Sequence, residues 1–494
     1  MAISITLDPG KLTFLREQDS RVQSYNIEMT ELTGGTFWAP YTQGQVDGTE
    51  EFPAPKDPSK IMELLKGLHV KFPEINLYEP KIRTLAKGLG PAIVRFSGSW
   101  ATRTYYDFDG HTGGNVPEGF EFVLTKDQWQ GALDFVKAIG GQILVSVANS
   151  WGVHENGTGA WQPDQAKILW DYTAQQGITI DYAEFMNEPN LLSNMMLPEG
   201  YSPADFGRDH DLFAAWLQEN HPETKLVGPC AADSPRGAMM GGNLLNMVKS
   251  KPLLDACTIM PEIFSYHSYN GISERGQFFG AHPDFSETLT EKYLGLTMAD
   301  CDYYKAIRDE YTPGADLWVT ESADAACGGN TWAPTFVETI RYVDELARFG
   351  MNTRGVIFHN TLASSAYGLL DSETHEPRPQ YWGGLLFAQL AGTTVYDTHE
   401  PIQEGAHLYA YSRKDGKEGV CYIYINNSGE SVTVDIPGCT RYTLSSDKLR
   451  SQKIFLNGEE LALVDENTLP ELTGAQEDAG SISLAPHTIS FLVV

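Results

Sequence analysis

Residues 180–192 read IDYAEFMNEPNLL. An apolar, alternating run with the character of a β-strand stops on Asn187-Glu188-Pro189-Asn190. Proline cannot continue a strand ladder, so the strand ends there and leaves an ionisable carboxylate at its C-terminal edge. A carboxylate at that place has a purpose only if the fold gathers other strand ends around it.

Seven further runs have the same character. With 180–187 they are 22–28 (VQSYNIE), 91–97 (PAIVRFS), 142–149 (QILVSVAN), 225–230 (KLVGPC), 263–269 (IFSYHSY), 316–321 (DLWVTE) and 354–359 (RGVIFH). Several are near-continuously apolar, as strands buried on both faces should be. Helical patterns lie between them. Thr125 and Gln128 form a capping-box pair ahead of a helix at 125–139, which Gly140-Gly141 ends. Pro334 opens a second at 334–349, with Phe336, Ile340, Val343 and Leu346 on one face.

Eight strand–helix repeats predict an α/β fold, a (β/α)8 barrel over residues 15–392. The segments after strands are long (37–58, 99–123, 150–161, 189–203 and 270–289) and those after helices short, as expected when a site is built at the C-terminal face. A doubly wound open sheet would want a glycine-rich phosphate turn after the first strand, and NIEMTELTGG does not supply one. Beyond residue 393 the helical period disappears. HLYAYSR, GVCYIYINN, SVTVDI, RYTLSS and HTISFLVV predict a β-sandwich that also takes the N-terminal strand ISITLD, giving a second unit of residues 1–14 plus 393–494.

Composition narrows the function. The chain of 494 residues carries a formal net charge of -30, which opposes nucleic acid and anionic membranes. No apolar run is long enough to span a bilayer. Six cysteines without a CxxC pair suit neither a zinc site nor a disulfide framework. MAISITLDPGKLTFL lacks the pattern of a secretory leader, so the sequence as written is read as cytoplasmic.

Glu188 ends the fourth strand and Glu321 the seventh, in LWVTESADAACGG. In a barrel the two should meet across the mouth, and paired carboxylates are the apparatus of glycoside hydrolysis. Asn187 is placed to bond a sugar hydroxyl. Arg95, a charge inside an apolar strand, needs an anionic partner, for which Glu321 is a candidate. Tyr269 is placed to hold the nucleophile and His267 to orient a carboxylate. No second His or Cys stands at ligand spacing, so neither metal nor cofactor is expected.

These residues resemble family 79 of the glycoside hydrolases, the clan A group holding heparanase, leech hyaluronidase and β-glucuronidases. The resemblance rests on IVRFSGSWATRTYYDF, EFMNEPN, SYHSYNG, LWVTESADAACGG, AYGLLDSETHEPRPQYWGGLLFAQLAG and the C-terminal strands, and spans nearly the whole chain. It implies retaining cleavage of β-linked glucuronic acid, with Glu188 as acid/base and Glu321 as nucleophile. It further implies that Glu28 binds sugar hydroxyls, that Ser99 lies near the sugar, and that Tyr367 contacts the uronic carboxylate. A glycine pair, Gly328-Gly329, or in an ungapped match Cys327-Gly328, completes that carboxylate site. His359 matches a glutamine of the family and is counted with the substrate-binding residues. The partner is therefore a carbohydrate containing glucuronic acid. Clusters of Lys and Arg suited to a sulfated polymer are missing, so a small or weakly charged glucuronide cleaved from its non-reducing end is favoured. The 37–58 loop would wall off the cleft. Endo-cleavage of hyaluronan or under-sulfated heparan is the alternative; a non-catalytic carbohydrate-binding barrel and a clan A glycosidase for neutral sugars are others.

Overall fold

The computed structural model describes residues 4–53, 67–194, 196–234, 247–277 and 282–494. Strands β1 (Ser4–Thr6) and β2 (Thr13–Glu17) precede the barrel. Strand β3 (Gln23–Glu28) opens it. A hairpin of β4 (Gly35–Trp38) and β5 (His69–Phe72) follows, then β6 (Ile93–Ser97). Next come the short pair β7 (Thr104–Asp107) and β8 (Phe122–Thr125), and β9 (Gln142–Ser146). Strands β10 (Tyr182–Glu184), β11 (Lys225–Ala231), β12 (Ile263–Tyr269), β13 (Asp316–Ala323) and β14 (Ile357–His359) complete it. β3, β6 and β9 to β14 pair in parallel and close into an eight-stranded barrel.

The predicted helices form. The first spans Lys126–Ile139, and Thr125 and Gln128 make the reciprocal capping bonds. The other starts two residues later than expected and runs to Asn352. Two segments expected as plain loops carry ordered structure, the hairpin β4–β5 and the pair β7–β8, while residues 54–58 of the 37–58 loop lie outside the described residues.

Period-two alternation sorts the barrel interior into layers. Ile93, Leu144, Tyr182, Val227, Ile263, Trp318 and Phe358 pack with Val356 in one buried apolar cluster. Two residues further along their strands, Arg95, Ser146 and Glu184 form a polar layer above it, all fully buried. The apolar plug therefore closes one end, and the next layer toward the C-terminal mouth is ionic.

The strands outside the barrel and its loops make two sheets around a second core, a large antiparallel one and a small mixed one. β15 (Ala391–Asp397), β16 (His407–Arg413), β17 (Val420–Asn426) and β19 (Cys439–Ser445) belong to the large sheet, together with β2 and the last strand, Thr488–Val493. β1 pairs in parallel with Val432–Ile436 in a three-stranded sheet, Ser4 opposite Thr433. Ile5, Leu7, Leu408, Tyr422, Tyr424 and Val434 fill the space between the two sheets.

The helix Phe336–Asn352 lies between barrel and large sheet, and the contact is ionic as well as apolar. His407 on β16 places Nδ1 2.6 Å from Asp344 and Nε2 2.6 Å from Glu291. Tyr409 donates to Asp344, which also accepts from Arg348 at 2.6 Å. Burial opposes charge on His407, but the field and hydrogen bonds of Asp344, together with Glu291, outweigh it and push its pKa up to about 9.

Candidate active site

Arg95 anchors the mouth of the barrel. It is fully buried and donates to both oxygens of Glu184, at 2.9 and 3.0 Å, to Oε1 of Glu321 at 3.0 Å and to Oδ1 of Asn187 at 2.8 Å. The expected Arg95–Glu321 pair is present, but the bidentate partner is Glu184, which the sequence reading did not single out. Glu184 also accepts from Ser146 at 2.7 Å. A guanidinium fork matched to a carboxylate holds planar geometry, so Arg95 fixes the orientation of everything it touches.

The fourth strand is shorter than 180–187. Its ladder stops at Glu184, and the chain then turns so that Asn187 and Glu188 face the cavity above Arg95. Glu188 itself has φ 44°, a left-handed conformation that costs a non-glycine residue about 1–2 kcal/mol. It is buried to 8 % exposure.

His267 and Tyr269 extend from β12 onto the same spot. His267 Nδ1 lies 3.0 Å from Glu188 Oε1 and 3.4 Å from Glu321 Oε2. Tyr269 donates to Glu321 Oε2 at 2.6 Å. One oxygen of Glu188, one of Glu321 and a ring nitrogen of His267 all lie within 4.8 Å of one another. Burial would raise the pKa of Glu321, but His267, Arg95 and the Tyr269 hydroxyl together outweigh it and hold the group below the usual carboxylate range. Three donors this close also have the dimensions of a cation site. The guanidinium of Arg95, 3.0 Å from Glu321 and 3.5 Å from His267, already supplies positive charge there.

Glu28 ends β3 beside these groups. Burial, and after it the charges of Glu321 and Glu31, raise its pKa well above the ordinary value. Its Oε2 occupies the space where Gly98 would carry a side chain: a Cβ there would stand 1.6 Å away, and Gly98 has φ +90°. Asn360 Nδ2 donates to the hydroxyls of both Tyr269 and Tyr367, at 3.1 and 3.0 Å. Its own Oδ1 accepts from Asn26 at 2.9 Å. Asn360 thus occupies an acceptor site on each hydroxyl. The Tyr269 hydrogen goes to Glu321, and Tyr367 keeps one to donate.

The turn after β13 corrects the choice of backbone donors. Gly329 spends its N–H on the Ala325 carbonyl at 3.2 Å, so it does not supply the pair. The N–H groups of Cys327 and Gly328 make no hydrogen bond within the described residues. His359 is also corrected. It is fully buried, its Nε2 bonds the Tyr367 carbonyl at 2.7 Å, and burial pushes its pKa down to about 3. It is a neutral support for the Tyr367 carbonyl. Ser99 stands half-buried just beyond β6, where only its carbonyl is used, by Thr102 and Arg103. Trp161 and Trp332, in segments that follow barrel strands, are core residues, each 3 % exposed.

A closed parallel barrel with two carboxylates facing each other at the mouth has the build of a glycoside hydrolase. The same fold is seen in the crystal structure of a 4-O-α-L-rhamnosyl-β-D-glucuronidase from Fusarium oxysporum 12S, with TM-score 0.63, 10 % identity and full coverage of both chains. No family model matches the chain. It is 27 % identical over 465 residues to the hyaluronoglucuronidase of Hirudo nipponia, covering 85 % of this chain and 90 % of that protein. It is 22 % identical over 465 residues to the baicalin-β-D-glucuronidase of Scutellaria baicalensis, covering 85 % and 84 %. Over most of its length the chain is thus similar to glucuronidases of the type its motifs resemble.

Proposed function

We propose that the protein is a retaining β-glucuronidase with Glu188 as acid/base and Glu321 as nucleophile. The observation that carries this reading is the approach of one oxygen from each carboxylate to within 4.8 Å. Retaining enzymes hold their carboxyl groups about 5–5.5 Å apart, whereas inverting enzymes need about 6.5–9.5 Å to admit water. Glu321, held ionised by Arg95 and Tyr269, attacks the anomeric carbon while Glu188 protonates the leaving oxygen. In the second half Glu188 takes the proton of the water that releases the sugar. His267 touches both carboxylates and keeps them in register. Asn187, its Oδ1 held by Arg95, offers its amide hydrogens to a sugar hydroxyl, and Glu28 binds hydroxyls from the opposite strand.

The uronic carboxylate is read as bound by Tyr367 O–H and the Cys327 and Gly328 N–H groups. The neighbouring cations are committed internally: Arg95 to carboxylates and Arg275 to carbonyls. With a net charge of -30 this favours a small or weakly charged glucuronide over a sulfated polymer, cleaved from its non-reducing end. The Hirudo relative favours hyaluronan as the alternative substrate.

The test is a panel of aryl β-glucuronide, β-glucoside and β-xyloside, extended to hyaluronan and heparan with product sizes read out. Release of the β-anomer of glucuronic acid from the aryl glucuronide, abolished in Glu188→Gln and Glu321→Gln, is expected. Preference for a neutral glycoside, or release of the α-anomer, would overturn the assignment. Large oligosaccharide products from hyaluronan would replace exo by endo action.

A further inference from the structure

Among the described residues no free cation adjoins the proposed carboxylate site, yet it must prefer an anion. The answer lies behind the turn. Arg275, in the segment after β12, is 1 % exposed. Its Nη1 donates to the carbonyls of Cys327, Gly328 and Gly329, at 3.3, 3.0 and 3.3 Å, and its Nη2 to that of Ala39. Its guanidinium lies flat on the ring of Tyr41, 3.6 Å from the centroid, and the Tyr41 hydroxyl bonds the Gly329 carbonyl. No carboxylate among the described residues lies within ion-pair distance of Arg275. Its chain neighbour Glu274 spends its oxygens on the Thr331 N–H and hydroxyl, at 3.0 and 2.8 Å.

A buried guanidinium without a carboxylate is unusual, since a buried charge normally carries its counterion. Here three carbonyl dipoles take that place. In a trans peptide unit the C=O and the following N–H point in opposite directions. The unit joining Cys327 and Gly328 therefore directs its carbonyl to Arg275 and its unbonded N–H away from it. Cys327 and Gly328 both have left-handed φ, 63° and 84°, in a tight turn that leaves their two successive N–H groups without a backbone partner among the described residues, and such turns can present N–H groups to an anion. Cys327 and Tyr269 both pack against the Ile272–Ala326 cluster, and Tyr269 bonds Glu321, so the turn borders the reaction centre.

A second arginine does similar work on the other donor loop. Arg378 donates to the carbonyls of Ser365, Ala366 and Gly368 around Tyr367, but it also reaches Asp371 at 3.3 Å. Its charge has a carboxylate partner, whereas among the described residues Arg275 has none in ion-pair contact, Glu274 reaching only the Tyr41 hydroxyl beneath it at 3.4 Å.

We propose that Arg275 is the specificity-determining positioning residue for an anionic sugar. It pins the 327–329 carbonyls so that the Cys327 and Gly328 N–H groups form the carboxylate nest, and it places an uncompensated positive charge one peptide unit behind that nest. This rests on the glucuronidase reading and assigns the source of its selectivity.

The experiment compares kcat/KM on aryl β-glucuronide and aryl β-glucoside for wild type, Arg275→Met, Arg275→Lys and Arg378→Met. At a separation of two hydrogen bonds and a peptide unit, loss of a full charge should lower the glucuronide-to-glucoside ratio about tenfold or more. The loss should appear mainly in KM for the glucuronide. Arg275→Lys keeps the charge but loses the fork that pins three carbonyls, so it should lower the ratio selectively though less than Arg275→Met, and Arg378→Met should change it less than Arg275→Met does. Equal loss on both substrates would show a merely structural role and overturn the proposal. If Arg275→Met does not fold, the lysine variant decides: a raised KM for glucuronide alone supports the proposal, and no selective change refutes it. Inability of the wild type to cleave the glucuronide would instead sink the parent reading. Calorimetric binding of free D-glucuronate against D-glucose, in wild type and Arg275→Lys, then tests the nest by itself: weaker glucuronate binding in the variant supports it, and unchanged or absent binding ends it.

Discussion

His407 makes the union of barrel and sheet depend on pH in a calculable way. Its side chain is fully buried, bonded on one side to Asp344 and on the other to Glu291, with Arg348, Tyr409 and Asn427 completing the cluster. The folded protein raises its pKa from 6.5 to about 9. A group whose pKa rises on folding stabilises fully below its unfolded value and loses that contribution as pH climbs to the folded one. At 1.36 kcal/mol per pH unit the contribution is about 3 kcal/mol, present at pH 6 and gone above about pH 9. For a chain of 494 residues, an unfolding entropy of about 2.1 cal/mol/K per residue converts this to about 3 °C in Tm. The comparison is wild type against His407→Gln, similar in size and always neutral, by thermal unfolding between pH 6 and 9.5. Other groups that titrate in this range cancel in the difference. The wild type should be more stable by about 3 °C at pH 6, and the two curves should converge by pH 9.5. A gap that stays constant across the range would refute the argument, because it would assign the stabilisation to packing alone.

Three more perturbations are specified by the site. Tyr269→Phe removes a 2.6 Å hydrogen bond to Glu321; kcat should fall about 10- to 100-fold, as expected for a charge-assisted bond. Because Glu321 must be ionised and its depressed pKa loses one of its causes, the acid limb of the kcat/KM profile should move to higher pH, which a pH series reads directly. Glu184→Gln breaks the bidentate partner of a fully buried arginine and should cost about 3 kcal/mol in denaturant unfolding, together with activity, although Glu184 does not reach the sugar. Gly98→Ala sets a methyl group on the Glu28 carboxylate at a φ of +90° and should cost about 2 kcal/mol or more, with a raised KM if Glu28 binds substrate.

The barrel was readable because its strands are apolar runs with helices between them, and the mouth because strand ends must converge. Glu321, His267 and Tyr269 sit where that logic puts them, and Arg95 betrayed itself as a charge inside an apolar strand. Glu184 did not, although the clue was of the same kind. It stands two residues after Tyr182, which belongs to the apolar plug, so alternation turns it inward to the layer of Arg95. Extending the strand to 187 hid this, because the eye goes to the carboxylate beside the proline. Asn360, Arg275 and Arg378 were illegible for a different reason. They act on hydroxyls and backbone carbonyls from distant segments, a type of contact that leaves no pattern along the chain. The register of the carboxylate donors was ambiguous on paper because it turns on which N–H the Ala325 carbonyl captures.

The pairing of Ser4 with Thr433 carries a consequence for biosynthesis. The partner of Ser4–Thr6 lies more than four hundred positions later in the chain, so the small sheet can assemble only after the barrel segments have been made. Until then Ile5 and Leu7 have no core to enter and must wait in water while the eight parallel strands find one another. The growing polypeptide therefore passes through a stage in which a largely formed barrel carries an unpaired apolar strand, and the speed with which the segments after the barrel arrive sets how long that hazard persists.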